Sequence, residues 1–317
     1  MQAVALALLG IVAAAAGSEG LLIVTSFPSL AEDVKMLACP GDVVASLAPA
    51  GVDPHELQLT PEAAELLQRA DIVVTLGHTP LEKAVGELAS SRRLSAVVVS
   101  VWEIPGIELR ANPATGSVNY HMPTYDPNNY KRFVMYLAQV MGALRPECAE
   151  RYLERAAEVV SRVDSVTSRV QRVDAAAVLE GPELQYAVEW TGLRPLALLV
   201  REHDSPARPE DVARAESLLA QGAVAVVGYP LSEAGRTLVE LAKKYGAAVI
   251  YVPSPVTPQP TLAKIEAVAA AVSALRVRSA APSSSLDAVS QPLVHAAGAL
   301  SVGGLTAALY AAGVRRR

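Results

Sequence analysis

The feature that most constrains the fold is a series of short apolar runs, rich in valine, isoleucine and leucine, that alternate with helical patterns. Unbroken apolar runs of this kind are typical of strands covered on both faces, as in a parallel sheet flanked by helices. The runs divide into two sets separated by a long helical segment, so the sequence predicts two parallel-sheet α/β lobes. They lie at residues 21–25, 43–48, 71–76 and 96–101, then at 175–180, 196–200, 223–228 and 247–252.

One long rigid helix is predicted to join the two lobes. Between Pro146 and Val173, apolar residues recur at the three- and four-residue spacing of a helix face, and proline is favoured in a first helical turn. At about 1.5 Å per residue, this helix would be roughly 40 Å long. The predicted boundaries are residues 19–145 for the first lobe, 146–174 for the connecting helix and 175–277 for the second lobe.

Both ends of the chain carry apolar segments that predict export and membrane attachment. Residues 2–16 have the length of a signal-peptide core, so residues 1–18 are predicted to be a signal peptide, with a buried first helix as the alternative. Residues 292–314 lack charged side chains and are long enough for a transmembrane helix that follows a linker at 278–291. The arginines at 315–317 place the C-terminus in the cytoplasm and the body outside.

Composition excludes one class of partner and leaves one covalent question open. The net charge is −5 and no block of lysine and arginine forms a basic stripe, so nucleic-acid binding is not expected. The two cysteines, Cys39 and Cys148, could form a disulfide in an oxidising exterior. Two independent buried cysteines fit the sequence equally well, because their distance in space cannot be derived from their positions in the chain.

His55 and His121 lie in loops that follow predicted strands of the first lobe. His55, in GVDPHELQLTP, comes after the run at 43–48, and an Asp-Pro step restricts the backbone before it. His121, in HMPTYDPNNY, comes after the run at 96–101. Because the carboxyl ends of parallel strands meet at the same edge of a sheet, we expect both imidazoles to face the cleft between the lobes. Two histidines in such matched contexts indicate a metal site.

These segments resemble a known family, the metal-receptor subunits of zinc- and manganese-importing ABC transporters. GVDPHELQLTP is similar to the family's DPH turn, and AELLQRADIVVTLG to the helix and strand that follow it. HMPTYDPNNY resembles the second histidine motif, HxWxDP, with one extra residue and Tyr125 in place of tryptophan, and QYAVEWTGL resembles a Tyr-x5-Gly-Leu segment. The resemblance covers residues 21–275 and implies an ion in the interlobe cleft, held by His55 and His121.

The second lobe departs from the family pattern. The family's third ligand falls at Gly181 and its carboxylate falls near Pro253, and neither residue has a side chain that binds metals. Position suggests His203 as the first replacement and Glu180 as the second, since both follow strands of this lobe. The alternative for His203 is an ordinary solvated polar loop.

The first lobe offers two more polar groups near the expected cleft. His78 and Glu82, in LGHTPLEK, follow the run at 71–76. Either could be a further ligand or could orient His55 from behind. His295 lies within the predicted anchor and is given no role.

The combined expectation is a membrane-anchored extracytoplasmic receptor, not an enzyme, that captures a divalent cation and delivers it to an ABC permease and its ATPase. Imidazole favours Zn²⁺, with Mn²⁺ second. One alternative is the same scaffold with a chelated or non-metal ligand. Another is a metal-dependent hydrolase, which the absence of HExxH, GxSxG and P-loop motifs disfavours.

Overall fold

A four-stranded parallel sheet forms the centre of the first lobe. The computed structural model describes residues 20–279, apart from 53, 203–204 and 255–256. The strands are β1 (Leu22–Thr25), β2 (Val43–Ser46), β3 (Ile72–Thr75) and β4 (Val97–Ser100). Their order is β2-β1-β3-β4, and all neighbouring pairs are parallel. Each strand lies within one of the predicted apolar runs.

The helices of the first lobe begin where the sequence places proline. The missing N–H of proline costs no hydrogen bond in a first turn, where the intrahelical acceptor is absent. Threonine or aspartate side chains cap three of these helices by accepting backbone N–H groups. The helices are α1 (Pro28–Leu37), α2 (Pro61–Arg69), α3 (Pro80–Ser90) and α4 (Pro127–Leu144), and a short antiparallel hairpin, β5 (Arg110–Ala111) and β6 (Val118–Asn119), precedes α4.

The second lobe repeats the architecture of the first. Its strands are β7 (Ala175–Leu179), β8 (Leu193–Leu198), β9 (Val224–Tyr229) and β10 (Val249–Pro253), all parallel in the order β10-β9-β7-β8. In both lobes, the first strand therefore lies between the second and the third. The helices are α6 (Gln185–Glu189), α7 (Pro209–Ala220), α8 (Glu233–Lys244) and α9 (Thr261–Ser279). The predicted two-lobed α/β fold is confirmed.

The connecting helix is shorter than the sequence predicted. Residues Pro146–Cys148 form a single 3-10 turn, and the helix proper, α5, spans Ala149–Thr167. At about 1.5 Å per residue, α5 is about 28 Å long instead of roughly 40 Å. At its end, the hydroxyls of Thr167 and Ser168 donate to carbonyls of the preceding turn. Such local bonds compete with helix continuation, so the helix ends although the apolar spacing continues beyond it.

One continuous apolar core underlies both lobes. Ile23 from the first sheet and Leu179 from the second belong to the same buried cluster, together with Phe133 of α4 and Tyr152 of α5. The two lobes also belong to a single compact unit. The relative position of the lobes is therefore stabilised by apolar contact as well as by the chain connection.

The two cysteines form a disulfide between the end of α1 and the start of α5. Cys39 and Cys148 are 109 residues apart in sequence, and their Cα atoms are 6.4 Å apart. Asp42 supports the same corner, since its carboxylate accepts hydrogen bonds from Arg145 and Tyr152, each 2.8 Å. This observation resolves the alternative that the sequence left open, and it fits an oxidising compartment.

A buried polar link joins α1 of the first lobe to the start of α9. Asp33 accepts hydrogen bonds from the hydroxyl of Tyr130, 2.8 Å, and from the backbone and side chain of Thr261, 2.7 Å each. Burial raises the pKa of Asp33 to about 6 in spite of these bonds. Lys264 donates to the carbonyl of Ser254, 2.9 Å, and burial lowers the pKa of this lysine to about 7.

Part of the predicted organisation lies outside the described residues. This applies to the signal peptide at 1–18, the linker from residue 280 onward and the anchor at 292–314. Within the part of the chain that the structure describes, none of the helices combines the length and the apolar character needed to cross a membrane.

Candidate metal centre

Three imidazoles converge at one edge of the first lobe. His55, His78 and His121 each offer one ring nitrogen, and these nitrogens all lie within 4.8 Å of one another. The ring centroids are 5.5 Å apart for His55 and His78, 5.9 Å for His55 and His121, and 4.7 Å for His78 and His121. All three rings are half-buried. In the described residues, this is the one group of three or more histidine, cysteine or acidic side chains close enough to share a metal ion.

Each imidazole comes from a different loop, and two of these loops directly follow parallel strands. His55 lies in a 3-10 turn, Pro54–Glu56, after β2, and His78 lies between β3 and α3. His121 does not directly follow β4 as expected, because the β5–β6 hairpin comes between them. The convergence therefore follows from the topology, since the carboxyl ends of parallel strands meet at the same edge.

The loop that carries His78 is held by a buried carboxylate. Glu82 accepts hydrogen bonds from the backbone N–H of His78, 3.1 Å, and of Thr79, 3.0 Å, while the Thr79 hydroxyl accepts from the Glu82 N–H. This reciprocal pair is a capping box at the start of α3. Glu82 Oε2 also lies 3.6 Å from Nδ1 of His78. The carboxylate therefore lies beside His78, whereas the sequence predicted a further ligand or a group that orients His55.

Glu82 has an environment suited to an orienting group. Its side chain is buried, and it accepts further bonds from the hydroxyl of Ser26, 2.6 Å, and the N–H of Leu76, 2.7 Å. Burial alone would raise the pKa of Glu82, but the positive charge that His78 can carry and the donated hydrogen bonds outweigh burial and hold the pKa below its ordinary value. Its two oxygens are engaged by four donors, an arrangement that suits a group that positions the loop of His78.

His121 is oriented by Asn119, a residue that the sequence reasoning missed. Asn119 Oδ1 lies 2.9 Å from Nδ1 of His121 and also accepts the backbone N–H of His121, 2.9 Å. An amide oxygen can only accept, so Nδ1 carries the proton and the lone pair of this imidazole is on Nε2. Metal-binding histidines are commonly fixed in this way by an acceptor on the second nitrogen.

Asn119 also connects this imidazole to the second lobe. Its Nδ2 donates to the carbonyl of Pro182 and to the side-chain oxygen of Gln185, each 2.8 Å. Its own carbonyl accepts from the hydroxyl of Tyr186, 2.6 Å. One signal for Asn119 was present in the sequence, since a short amide side chain often binds the backbone two residues further on.

The second lobe contributes less than expected to this cluster. Glu180 is not one of the three clustered residues, and its carboxylate accepts from the Gly228 N–H, 2.7 Å, and from the Ser232 hydroxyl within its own lobe. His203 lies outside the described residues. At the two positions without metal-binding side chains, Gly181 leaves space that the Glu183 carboxylate fills, and the Pro253 carbonyl accepts from Tyr125, 3.1 Å.

One carboxylate of the second lobe does approach the imidazoles. Glu202 Oε2 lies 3.9 Å from Nε2 of His121, the nitrogen that carries the lone pair. The sequence analysis did not identify Glu202 as a candidate ligand. The arrangement as a whole offers three neutral nitrogen ligands from the first lobe and an anionic group from the second, which suits a divalent cation of the transition series.

Comparison of the sequence with protein families gives a match over most of the chain. Residues 23–291 match the ZnuA family, described as the periplasmic component A of a zinc-uptake complex. The match begins within β1 and ends directly before the apolar segment at 292–314. A comparison with curated protein sequences gives no significant match.

Solved structures share the fold at low sequence identity. The substrate-binding protein FpvC from Pseudomonas aeruginosa, in complex with Mn²⁺, has a TM-score of 0.66 and 19% identity over 81% of this chain and 99% of that chain. The periplasmic zinc-binding protein TroA from Treponema pallidum has a TM-score of 0.63 and 20% identity over 80% of this chain and 99% of that chain. A zinc-bound deletion mutant of ZnuA has a TM-score of 0.64 and 16% identity over 79% of this chain and 95% of that chain.

The family match, the two-lobed fold and the imidazole cluster agree with one another. Members of this family bind metal ions as solute-binding components of ABC importers and are not enzymes, which excludes the hydrolase alternative. The chain belongs to the ZnuA family of periplasmic, metal-binding substrate-binding proteins.

Proposed function

We propose that the chain captures a divalent cation, Zn²⁺ in preference to Mn²⁺, through the imidazoles of His55, His78 and His121. The observation that carries this proposal is the approach of three ring nitrogens to within 4.8 Å. Nitrogen ligands favour Zn²⁺, whereas Mn²⁺ is better suited to carboxylate and carbonyl oxygens. The set differs from the pair of histidines that the resemblance implied, because His78 adds a third imidazole from the same lobe.

The spacing of the nitrogens supports capture without a large rearrangement. Zinc–nitrogen distances of about 2.0–2.1 Å in a tetrahedral site put ligand atoms about 3.3 Å apart. The observed spread of up to 4.8 Å therefore requires each ring to move inward by about 1 Å. Side-chain rotation in half-buried loops supplies such a movement, while Glu82 and Asn119 keep two of the three loops in place.

Titration calorimetry of the chelator-treated protein tests the proposal. We expect Zn²⁺ to bind more tightly than Mn²⁺ at pH 7.5, and both affinities to fall at pH 5.5, because protons and the cation compete for the same imidazole nitrogens. Absence of binding for both cations in metal-free buffer would overturn the proposal. Binding that is unchanged in His55→Ala would show that the ion lies elsewhere.

We further propose that residues 292–314 hold the protein at the outer face of the membrane, where it delivers the ion to an ABC permease and its ATPase. Two observations support this: the segment is free of charged residues, and the family match stops at residue 291. Residues 315–317, all arginine, would lie in the cytoplasm. We expect the full chain to stay with membranes after an alkaline wash and a chain truncated after residue 291 to be released.

A further inference from the structure

The loop that follows β8 brings a second-lobe carboxylate to the imidazole cluster. Glu202 Oε2 is 3.9 Å from Nε2 of His121. The Glu202 side chain is 51% exposed and the His121 side chain only 13%. The carboxylate can therefore change rotamer without disturbing the core, whereas the imidazole is held in place.

The backbone at Glu202 is fixed beside the first lobe. The guanidinium of Arg201 donates to both carboxylate oxygens of Asp211, 2.8 Å each. The carbonyl of Arg201 accepts a 3.1 Å hydrogen bond from Asn112 Nδ2, which belongs to the first lobe. The N–H of Ser205 then closes a turn on the Glu202 carbonyl, 3.0 Å. Hydrogen bonds of Arg201 and Ser205 therefore fix the backbone of Glu202 across the cleft. The side chain of Glu202 takes no part in these bonds.

The His121 nitrogen that faces Glu202 is Nε2, the nitrogen that can bind a metal ion. Asn119 Oδ1 accepts from Nδ1 of His121, which leaves the lone pair on Nε2. A cation bound to Nε2 lies in the space between that nitrogen and the approaching carboxylate. Ligand atoms of a tetrahedral zinc site lie about 3.3 Å apart, so the 3.9 Å separation needs to close by about 0.6 Å.

Charge also favours a carboxylate at this point. Three neutral imidazoles leave the full double charge of the cation in a half-buried site, where low polarity penalises it. Closed tetrahedral sites have four protein ligands, and the first lobe supplies three of them. Glu180 is engaged by Gly228 and Ser232 in its own lobe, whereas the carboxylate of Glu202 approaches His121.

We propose that Glu202 is the fourth ligand of the captured ion and that it closes the site across the cleft from the second lobe. This inference rests on the proposed function. The role gives Glu202 an influence on metal choice, because a carboxylate oxygen improves the site for Mn²⁺ more than for Zn²⁺. The first lobe binds the ion through nitrogen, and the second lobe adds the oxygen that sets how strongly Mn²⁺ competes.

The test compares Glu202→Gln with Glu210→Gln in the full chain. Glu210 is an exposed carboxylate that lies near the same loop and pairs with Arg201. Its pairing partner is not one of the three imidazoles, so Glu210→Gln controls for the loss of local negative charge. Calorimetry with Zn²⁺ and with Mn²⁺ is carried out on wild type and both variants. We expect Glu202→Gln to weaken Zn²⁺ binding by at least about 10-fold and Mn²⁺ binding by more, with Glu210→Gln close to wild type.

The outcomes separate this inference from the proposed function. If the wild type binds neither ion, the proposed function fails. If the wild type binds and both variants keep its affinities, Glu202 forms only an ion pair with His121 and the inference is overturned while the proposed function stands. An equal loss in both variants also overturns it, because charge alone would then account for the effect. Equal thermal unfolding of the metal-free variants confirms that Glu202→Gln is folded.

Discussion

The two lobes have the same strand order but present different groups at their carboxyl edges. In the first lobe, three loops hold three imidazoles within 4.8 Å of one another, and orienting groups stand behind two of them. In the second lobe, Glu180 at the end of β7 is engaged by its own neighbours, and Glu202 approaches from an exposed loop. The same architecture therefore supports a preorganised binding half and an adaptable one.

This difference shows that the sheet determines where a site lies but not which lobe supplies the ligands. Both carboxyl edges face the cleft because parallel strands end there. The first lobe has a capping box at the loop of His78 and an asparagine that accepts from His121, so two of its three imidazoles are held in fixed positions. We therefore expect affinity to depend mainly on the first lobe and closure on the second.

The largest loss of Zn²⁺ affinity is expected from removal of His78, the imidazole that the family resemblance did not include among the ligands. In His78→Ala, the first lobe keeps two nitrogens, and we expect Zn²⁺ affinity to fall by more than about 100-fold, beyond the usual cost of losing an orienting partner. Arg93→Ala, an exposed change in the same lobe, is the control. Calorimetry checks both. Unchanged affinity in His78→Ala would show that the first lobe is not a three-nitrogen site.

A smaller loss is expected when the link between the lobes at His121 is cut. Asn119→Ala removes the acceptor on Nδ1 and the donor to Pro182 and Gln185, so the imidazole loses its fixed orientation. We expect a loss of about 10- to 100-fold in Zn²⁺ affinity. Asn128→Ala, at an exposed position of α4, should match wild type. If affinity stays constant, then His121 is positioned by its loop alone.

Two buried glutamates, Glu82 in the first lobe and Glu180 in the second, give a direct comparison of the lobes. Glu82→Gln and Glu180→Gln both replace an acceptor of several hydrogen bonds with a neutral amide, and both should lower the free energy of unfolding. Only Glu82→Gln should weaken Zn²⁺ binding, by about 10-fold, because Glu82 stands behind His78. Urea denaturation and calorimetry on the same samples separate the two effects. A comparable loss of affinity in Glu180→Gln would mean that Glu180 binds the ion.

Most of the fold could be predicted because strand burial leaves a strong pattern in the sequence. All eight apolar runs contain or overlap a strand, since parallel strands covered on both faces must be apolar throughout. The length of α5 was overestimated because apolar spacing continues into residues whose hydroxyls terminate the helix. Spacing reports burial, whereas helix ends depend on local hydrogen bonds.

The site could be predicted only in part, because sequence position fixes the loop but not the direction of a side chain. His55 and His121 were identified from their motifs, and the structure brings them together with His78. The roles of Glu82 and Asn119 depend on contacts between loops, which a single sequence does not show. Glu202 was missed for a related reason, since its approach to His121 depends on how the two lobes meet.

The smallest effect on Zn²⁺ affinity is expected for Asp33→Asn, because Asp33 bonds to the start of α9 and lies outside the imidazole cluster. Burial raises the pKa of Asp33 from 3.8 to about 6. At a pH between these two values, the folded state therefore keeps a proton that the unfolded chain has released. Between these values the folded state binds more protons, so the contribution of Asp33 to stability falls as pH rises. Asn at this position does not titrate.

We therefore expect the free energy of unfolding of wild type, relative to Asp33→Asn, to fall as pH rises from about 4 to about 6. Loss of the Asp33 charge lowers the pKa of Lys264 further. The Asp33→Asn variant therefore gains stability with rising pH, while wild type loses the contribution of Asp33. Both changes lower the stability of wild type relative to the variant. Urea denaturation at pH 4, 5 and 6 measures the difference. A constant or rising difference would contradict the buried titration, and a loss of Zn²⁺ affinity in Asp33→Asn would show that this link, like the one at Asn119, does not act on the fold alone.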